Sequence, residues 1–474
     1  MSQVRKIAHN TIAQIIGKAV SVLLGLVGVA IMTRALGVEK FGWYATAVGF
    51  LQFIGILTDF GFTVAATNML SEPAFDKNRV FGTVFGWRLV TAIITQGLLP
   101  LTIFFFPYPP EIKWAVVIMS LSFIGVSLNQ IFIAHLQTQL RLVIQIIGEV
   151  VGRIVLVVGL ALVAFYGLGF LPMMVAITLG SFAYTGYLWF KRGIFPIIFD
   201  KEIGRAMLTK IWPLALAVIF NAIYLQGDRF ILPLYVSQSE VGLYGAAYRV
   251  IDIVAQIAAM LAGMMLPLIT FAWSRGLRDD YKKQVQRALD LLALILLPII
   301  AGLFVLAKPA MIFVAGANFA QSGTILRYLV FTLLGISLGS VFGYVNTALN
   351  RQKSVLWVYI SCAVISAIGY FLFIPRFGIW GAAGVRIFSE LYAGLCLTAM
   401  AIHFSGCWPR FRTYGKIAFA AVVMALLVSY TQPMNIFLSA ALGGAVYFIL
   451  ILALRVVSRN TWQEIFRRGN DLPV

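Results

Sequence analysis

The chain has 474 residues, 61% hydrophobic and only 11% charged, with 36 Lys+Arg against 17 Asp+Glu for a formal charge of +19. A soluble domain carries about 45–50% apolar and about 25% charged residues, so this composition excludes an ordinary soluble enzyme and a disordered chain. The positive excess leaves two explanations: a nucleic-acid partner, or basic residues gathered on the cytoplasmic side of a membrane.

Crossing the hydrocarbon core takes about 20 apolar residues. In chain order the candidate spans are 12–33, 42–70, 80–106, 112–134, 143–166, 170–190, 212–236, 241–273, 286–307, 325–349, 355–375, 380–404, 414–431 and 434–454, fourteen in all. The longest polar stretches, 191–210 and 274–287, are linker-sized. The segments 199–212 and 274–291 mix basic and apolar residues at near-helical spacing. They read either as amphipathic helices lying along the inner interface or as plain polar linkers. The basic start MSQVRKIAHN leads into an apolar run that reaches Arg34 without a cleavage motif, so the first span is expected to be retained. Cys362, Cys396 and Cys407 form no disulfide framework. His9, His135 and His403 lack metal-ligand spacing. No nucleotide-binding glycine motif occurs. No catalytic residue, metal or cofactor is expected beyond a coupling ion.

With the N-terminus inside, 25 of the 36 basic residues fall in cytoplasmic connections or tails and five (Arg34, Lys40, Lys113, Lys308 and Arg376) fall outside. The remaining six, Arg88, Arg153, Arg229, Arg249, Arg327 and Arg386, lie within spans. That bias places both termini in the cytoplasm and leaves no need for nucleic acid.

An internal repeat organises the spans. ALGVEKFGWYATA (35–47) and YVSQSEVGLYGAA (235–247) align at an offset of 200, matching Gly42/Gly242, Tyr44/Tyr244 and Ala47/Ala247. Each links the first and second spans of a six-span block. LQTQ (136–139) echoes LNRQ (349–352), and residues 167–170 and 378–381 occupy matching turns. Six spans return the chain to the same side, so the blocks are related by a pseudo-two-fold along the membrane normal. The expected fold is an all-α polytopic membrane protein of about fourteen transmembrane helices. Residues 1–200 and 201–406 form two six-helix lobes, and 407–474 adds two helices and a cytoplasmic tail.

A charge at mid-span costs about 2.5–3.5 kcal/mol, so the intramembrane charges are expected to face the bundle interior or an aqueous cavity. Arg88, Arg153, Arg249 and Arg386 lie about 9–15 Å along their helices from the nearer edge. Glu149/Arg153 and Arg386/Glu390 are spaced i,i+4 and Arg249/Asp252 i,i+3, so each pair can neutralise itself. Arg88 has no acid within helical reach and is the expected anion-binding cation; Arg88→Ala is expected to abolish transport without blocking insertion. Asp228 and Arg229 are neighbours that point apart. Asp59, in LTDFGF, is expected to cap a helix restart at Gly61. Lys18 and Arg327 are expected to snorkel.

ALGVEKFGWYATAVGF, TDFGF and GDRFILPLYVSQSEVGLYGAAYRVID (227–252) resemble the polysaccharide-transporter family, the oligosaccharide flippases of the multidrug/oligosaccharidyl-lipid/polysaccharide exporter superfamily. The resemblance implies translocation of polyprenyl-pyrophosphate-linked oligosaccharides, such as O-antigen units, across the bacterial plasma membrane by alternating access. It also implies a cationic central cavity, for which Arg88, Arg153, Arg249 and Arg386 are the candidates, and onward partners that polymerise or ligate the sugar. Proton or sodium coupling would fall to Glu149, Asp228, Asp252 or Glu390. Lipid II flippases of this superfamily use acids on spans 7 and 11, but the span 355–375 carries none. Two other readings stay open: an ion-coupled drug antiporter of the same superfamily, which would favour acidic cavities, and a membrane enzyme on polyprenyl-linked sugars, which would need a larger outer loop.

Overall fold

The computed structural model describes residues 3–59, 62–71, 76–139, 141–410, 412–431 and 435–456. Every regular element among them is a helix. The first half runs α1 (Gln3–Asp59), α2 (Phe62–Ser71), α3 (Lys77–Ala92), α4 (Pro110–Thr138), α5 (Leu142–Phe165) and α6 (Phe170–Arg192). The second runs α7 (Lys201–Ile231), α8 (Gln238–Ser274), α9 (Arg278–Ala315), α10 (Ala320–Leu329), α11 (Thr332–Ala348) and α12 (Gln352–Ser405). α13 (Arg412–Tyr430) and α14 (Ile436–Ala453) follow. Ten helices among the described residues are long and apolar enough to cross a membrane, or eleven if the bent α10–α11 pair counts as one. The chain is a multi-pass membrane protein.

Part of the difference from the expected fourteen lies in joined helices. The 41-residue stretch Ile16–Ile56 and the 54-residue α12 are each at least twice as long as one crossing requires. Each is broken at a single glycine with positive φ, Gly37 (φ 70°) and Gly378 (φ 54°), a conformation that a side chain would strain. The chain therefore kinks within a helix where the sequence suggested a loop.

Residues 60 and 61, inside the span expected at 42–70, lie outside the described residues; α1 is described to Asp59 and α2 from Phe62. The expected role of Asp59 as a cap rests on a side chain outside the described residues. Two other expectations are corrected. The span expected at 325–349 begins earlier, at Ala320, within the pair α10–α11, whose axis bends by 49°. At that bend Thr332 Oγ1 donates to Leu329 O at 2.6 Å, a local bond that competes with the helical ladder. Finally, 199–212 and 274–291 form no separate interfacial helices but largely become the opening turns of α7 and α9. Asp200 caps α7 by accepting from the Glu202 and Ile203 N–H groups at 2.9 and 3.2 Å. The stripe Ile203, Met207, Ile211 and Ala215, spaced by four residues, is buried with residues of α2, α3 and α4.

Packing divides the chain into two compact units. The first comprises Met1–Ala246, Val314–Phe319 and Tyr359–Val385; the second comprises Ala247–Phe313, Ala320–Val358 and Arg386–Val474. In the first, an aromatic cluster of Phe81, Phe85, Phe132, Trp189 and Phe195 ties α3, α4 and α6 to the connection 193–200. That connection is docked on α3. Ile198 N donates to Gly82 O at 3.3 Å, and a methyl group at Gly82 would stand 2.3 Å from Pro196 O. Arg192 donates to Asn78 Oδ1 at 2.9 Å and lies over the Phe81 ring at 4.7 Å. Arg79 forms an ion pair with Asp200. The Ile203 N–H, the Arg79 guanidinium and the Glu202 N–H together hold the Asp200 carboxyl below its ordinary pKa.

In the second unit, α13 and α14 are fastened to α9. Tyr414 and Tyr447 donate to the carbonyls of Leu289 and Leu294 at 3.0 and 2.8 Å, and Gln286 exchanges two bonds with the Arg410 backbone. Their apolar cores join Ala293 to Ile417, Ala420 and Ile451.

Candidate functional site

α1 and α5 run side by side in the same direction, with Gly17 beside Ile146, Gly25 beside Arg153 and Gly28 beside Leu156. Lys18 Nζ stands 3.2 Å from Glu149 Oε1 across this contact, with the two side chains 39% and 22% exposed. The expected Glu149/Arg153 pair is therefore replaced by Glu149 with Lys18, and the Lys18 ammonium turns to an acid on the neighbouring helix. Arg153 sits one turn further along α5, half-buried, its Nη1 3.9 Å from the position a methyl on Gly25 would take. Among the described residues Arg153 has no ion-pair or hydrogen-bond partner. Lys18, Glu149 and Arg153 thus line one face with a net positive charge, open at Arg153.

Arg88 has a different environment. It is 2% exposed, and it donates from Nε to Ser127 O at 3.2 Å and from Nη1 to Thr58 O at 2.7 Å. Its guanidinium also lies 5.2 Å from the Phe62 ring centre. Thr58 lies on α1 and Ser127 on α4, so the Arg88 side chain ties the main chains of these two helices together. Beside it, Thr58 Oγ1 receives a bond from Gln96 Nε2 at 3.0 Å and meets Thr95 Oγ1 at 2.7 Å. Thr95 and Gln96 come from a π-helical stretch, Ile93–Leu98, that continues α3. Helical spacing to acids could not reveal this, because the acceptors are main-chain carbonyls.

Asp228 is fully buried on α7. Its Oδ1 accepts from the Arg229 N–H at 2.9 Å and its Oδ2 from Tyr244 Oη at 2.8 Å. The Arg229 side chain turns away to Gln52 Oε1 at 3.0 Å, as expected for neighbours that point apart. In the second unit, Arg386 and Glu390 form the predicted i,i+4 pair at 2.8 Å, both nearly fully buried, with Arg386 5.3 Å from the Tyr248 ring centre. Arg249 and Asp252 are half-buried on α8. Arg327, expected to snorkel, is bound to the Phe304 carbonyl at 3.0 Å.

The structure thus brings together Lys18, Glu149 and Arg153 in one place and Arg386 with Glu390 in another. Arg88, Arg153, Glu149 and Asp228 belong to the first unit, and Arg249, Asp252, Arg386 and Glu390 to the second. The residues that sequence reasoning missed are the polar partners Gln52 and Tyr244. Tyr244 carried a signal, its match to Tyr44 in the repeat. No group of three or more His, Cys, Asp or Glu side chains among the described residues is arranged to hold a metal ion.

Residues 31–324 match the family described as polysaccharide biosynthesis protein. The chain is 22% identical to the succinoglycan biosynthesis transport protein ExoT of Rhizobium meliloti, covering 94% of this chain and 93% of that one. It is 21% identical to the probable low-salt glycan biosynthesis flippase of Haloferax volcanii, covering 97% and 99%. Among solved structures it resembles the lipid II flippase MurJ in an inward closed conformation, with TM-score 0.78, 16% identity and coverage of 94% and 98%. It also resembles an inward-facing multidrug transporter of the MATE family, with TM-score 0.62, 12% identity and coverage of 82% and 94%. The matched family takes in more than half of the chain, and the fold is the one seen in these two solved structures: the chain belongs to the polysaccharide biosynthesis protein family.

Proposed function

We propose that this protein is a flippase that moves polyprenyl-pyrophosphate-linked oligosaccharide across the bacterial plasma membrane for cell-surface polysaccharide synthesis. Its termini lie in the cytoplasm, and two six-helix lobes, 1–200 and 201–406, alternate access to a cationic cavity. The observation that carries this reading is Arg153. Among the described residues this half-buried arginine in mid-helix has no acid as partner, because Glu149 pairs with Lys18. A guanidinium offers two parallel donors to a phosphate, which is the charge that such a substrate must bring through the membrane. Arg88, Arg249 and Arg386, each engaged in interactions of its own, are the other candidate substrate-binding cations. The family match and the transporter and flippase names of the relatives support the same reading.

Coupling to protons or sodium falls first to Asp228, a fully buried carboxyl held by two neutral donors; Glu149, Asp252 and Glu390 are the other candidates. A polymerase or ligase takes the exported unit onward. The test is deletion in the native host followed by mass analysis of lipid-linked sugars, with complementation by wild type and by Arg153→Ala. One intermediate is expected to accumulate in the inner leaflet on deletion and to persist with Arg153→Ala. Absence of any accumulating lipid-linked sugar would overturn the proposal.

A further inference from the structure

Gly42 and Gly242, a pair matched by the internal repeat, pack on one another. A methyl group at Gly42 would stand 1.7 Å from Gln238 O and 3.1 Å from Gly242 N. A methyl group at Gly242 would stand 2.1 Å from Val38 O and 3.0 Å from Gly42 N. Positions 38 and 238, and 42 and 242, exchange the same contacts, which is the reciprocity that a two-fold axis imposes. The next pair along continues the pattern: a methyl at Gly245 would stand 3.0 Å from Ala45 Cβ. The axis inferred from sequence therefore passes through a real contact between α1 and α8.

That contact belongs to one stripe of α1. Gly42, Ala45, Thr46, Gly49, Gln52 and Phe53 recur at helical spacing and all face the end of α7 or the start of α8. Thr46 Oγ1 donates to Gln238 Oε1 at 2.7 Å. A methyl at Gly49 would stand 2.6 Å from Arg229 O. Gln52 accepts from Arg229 at 3.0 Å. Phe53 stacks on Phe230 with ring centres 4.2 Å apart. Near Gly42 the approach is backbone to backbone, as small residues allow between membrane helices. The large aromatic pair is at the far end, about 16 Å deeper along α1. A backbone-to-backbone contact of this kind can part at its glycine end, with the aromatic stack as the pivot. The Thr46 hydroxyl can turn back to a carbonyl of its own helix when Gln238 leaves.

We propose that this glycine seam, at the end of the molecule that the charge bias assigns to the outside, is a gate that closes as seen here and opens once in every transport cycle. The inference rests on the alternating-access reading above and assigns its gate to named residues.

The test is a disulfide across the seam, Ala45→Cys with Gly245→Cys, in the full-length protein in native membranes with Cys362, Cys396 and Cys407 replaced by serine. The 3.0 Å separation lies a few tenths of an ångström inside the usual Cβ–Cβ distance of a disulfide, about 3.5–4.5 Å, so oxidation is expected to link the pair. Linking is expected to lower export of lipid-linked sugar at least tenfold, and reductant to restore it, while each single-cysteine variant exports normally. Alkylation of Thr46→Cys by a membrane-impermeant maleimide reports opening without reference to substrate. It is expected to proceed in the unlinked protein, to stop when the seam is linked, and to rise in Gly42→Ala. Failure to link, or export and labelling unchanged in the linked protein, would overturn the gate. If labelling follows the linkage while no variant alters lipid-linked sugars, the gate stands and the proposed substrate fails.

Discussion

Replacing Arg88 by alanine separates two roles that the sequence could not distinguish. The guanidinium donates to two main-chain carbonyls, Thr58 O at 2.7 Å and Ser127 O at 3.2 Å, in a site where the residue is 2% exposed. A hydrogen bond from a charged donor contributes about 1.5–3 kcal/mol, so the two are worth about 3–6 kcal/mol, the longer bond counting toward the low end. Some is recovered if water or a neighbouring hydroxyl reaches the carbonyls, which leaves an expected loss of about 3 kcal/mol. Against a total stability of about 5–15 kcal/mol, that is a large fraction. The assay is thermal unfolding and monodispersity of detergent-extracted protein. Arg88→Ala is expected to melt well below wild type and to give less folded protein. Arg88→Lys is expected to recover only part of the loss, because one ammonium cannot match the two-pronged geometry. An Arg88→Ala protein that melts with wild type yet moves no substrate would refute this reasoning and return Arg88 to the substrate, as sequence spacing alone suggested.

Other consequences can be checked alongside. Arg153→Ala is expected to leave stability within about 0.5 kcal/mol of wild type, as for a side chain with no ion pair or hydrogen bond among the described residues, while complementation of a deletion strain falls sharply; a matching drop in stability would assign Arg153 to the scaffold. Lys18→Glu is expected to place like charges together and impair the protein, and Glu149→Lys in the same chain to restore it; no rescue would show that the 3.2 Å pair contributes nothing. Gly82→Val drives a side chain into Pro196 O, 2.3 Å from the first added carbon, at a cost of about 1–3 kcal/mol, and is expected to speed proteolysis within 193–200. The Asp200 carboxyl has its pKa depressed in the folded protein, so its hold on the connection is present above the ordinary value of 3.8 and is lost as pH falls through the lower folded value. Protease susceptibility of 193–200 is thus expected to be flat near neutrality and to rise only in strong acid, and Asp200→Asn is expected to abolish that rise.

The helical fold was legible because period and length suffice for it. Apolar runs of about 20 residues admit only helices in a bilayer, and the runs recur along the whole chain. The breaks were less legible. Gly37 and Gly378 look like other glycines among 42, and only the backbone shows that each kinks its helix. In the site, the Arg386/Glu390 pair was readable because both partners share one helix face. The partners of Glu149 and Arg88 were not, because one lies 131 residues away on α1 and the others are main-chain carbonyls of α1 and α4.

By itself the sequence determined that the chain is an α-helical membrane protein, how its basic residues divide between connections and spans, and which glycine and tyrosine positions recur at an offset of 200. Composition, period and repetition are properties of the string and survive any folding. Tertiary structure alone decided which charges are spoken for. A charge in a low-dielectric interior takes whatever partner packing brings within about 3 Å, whether an acid on another helix or an unpaired carbonyl. That choice gave Arg88 two main-chain carbonyls and left Arg153 without an ion-pair partner among the described residues, and it turned a weak repeat into a seam where Gly42 meets Gly242.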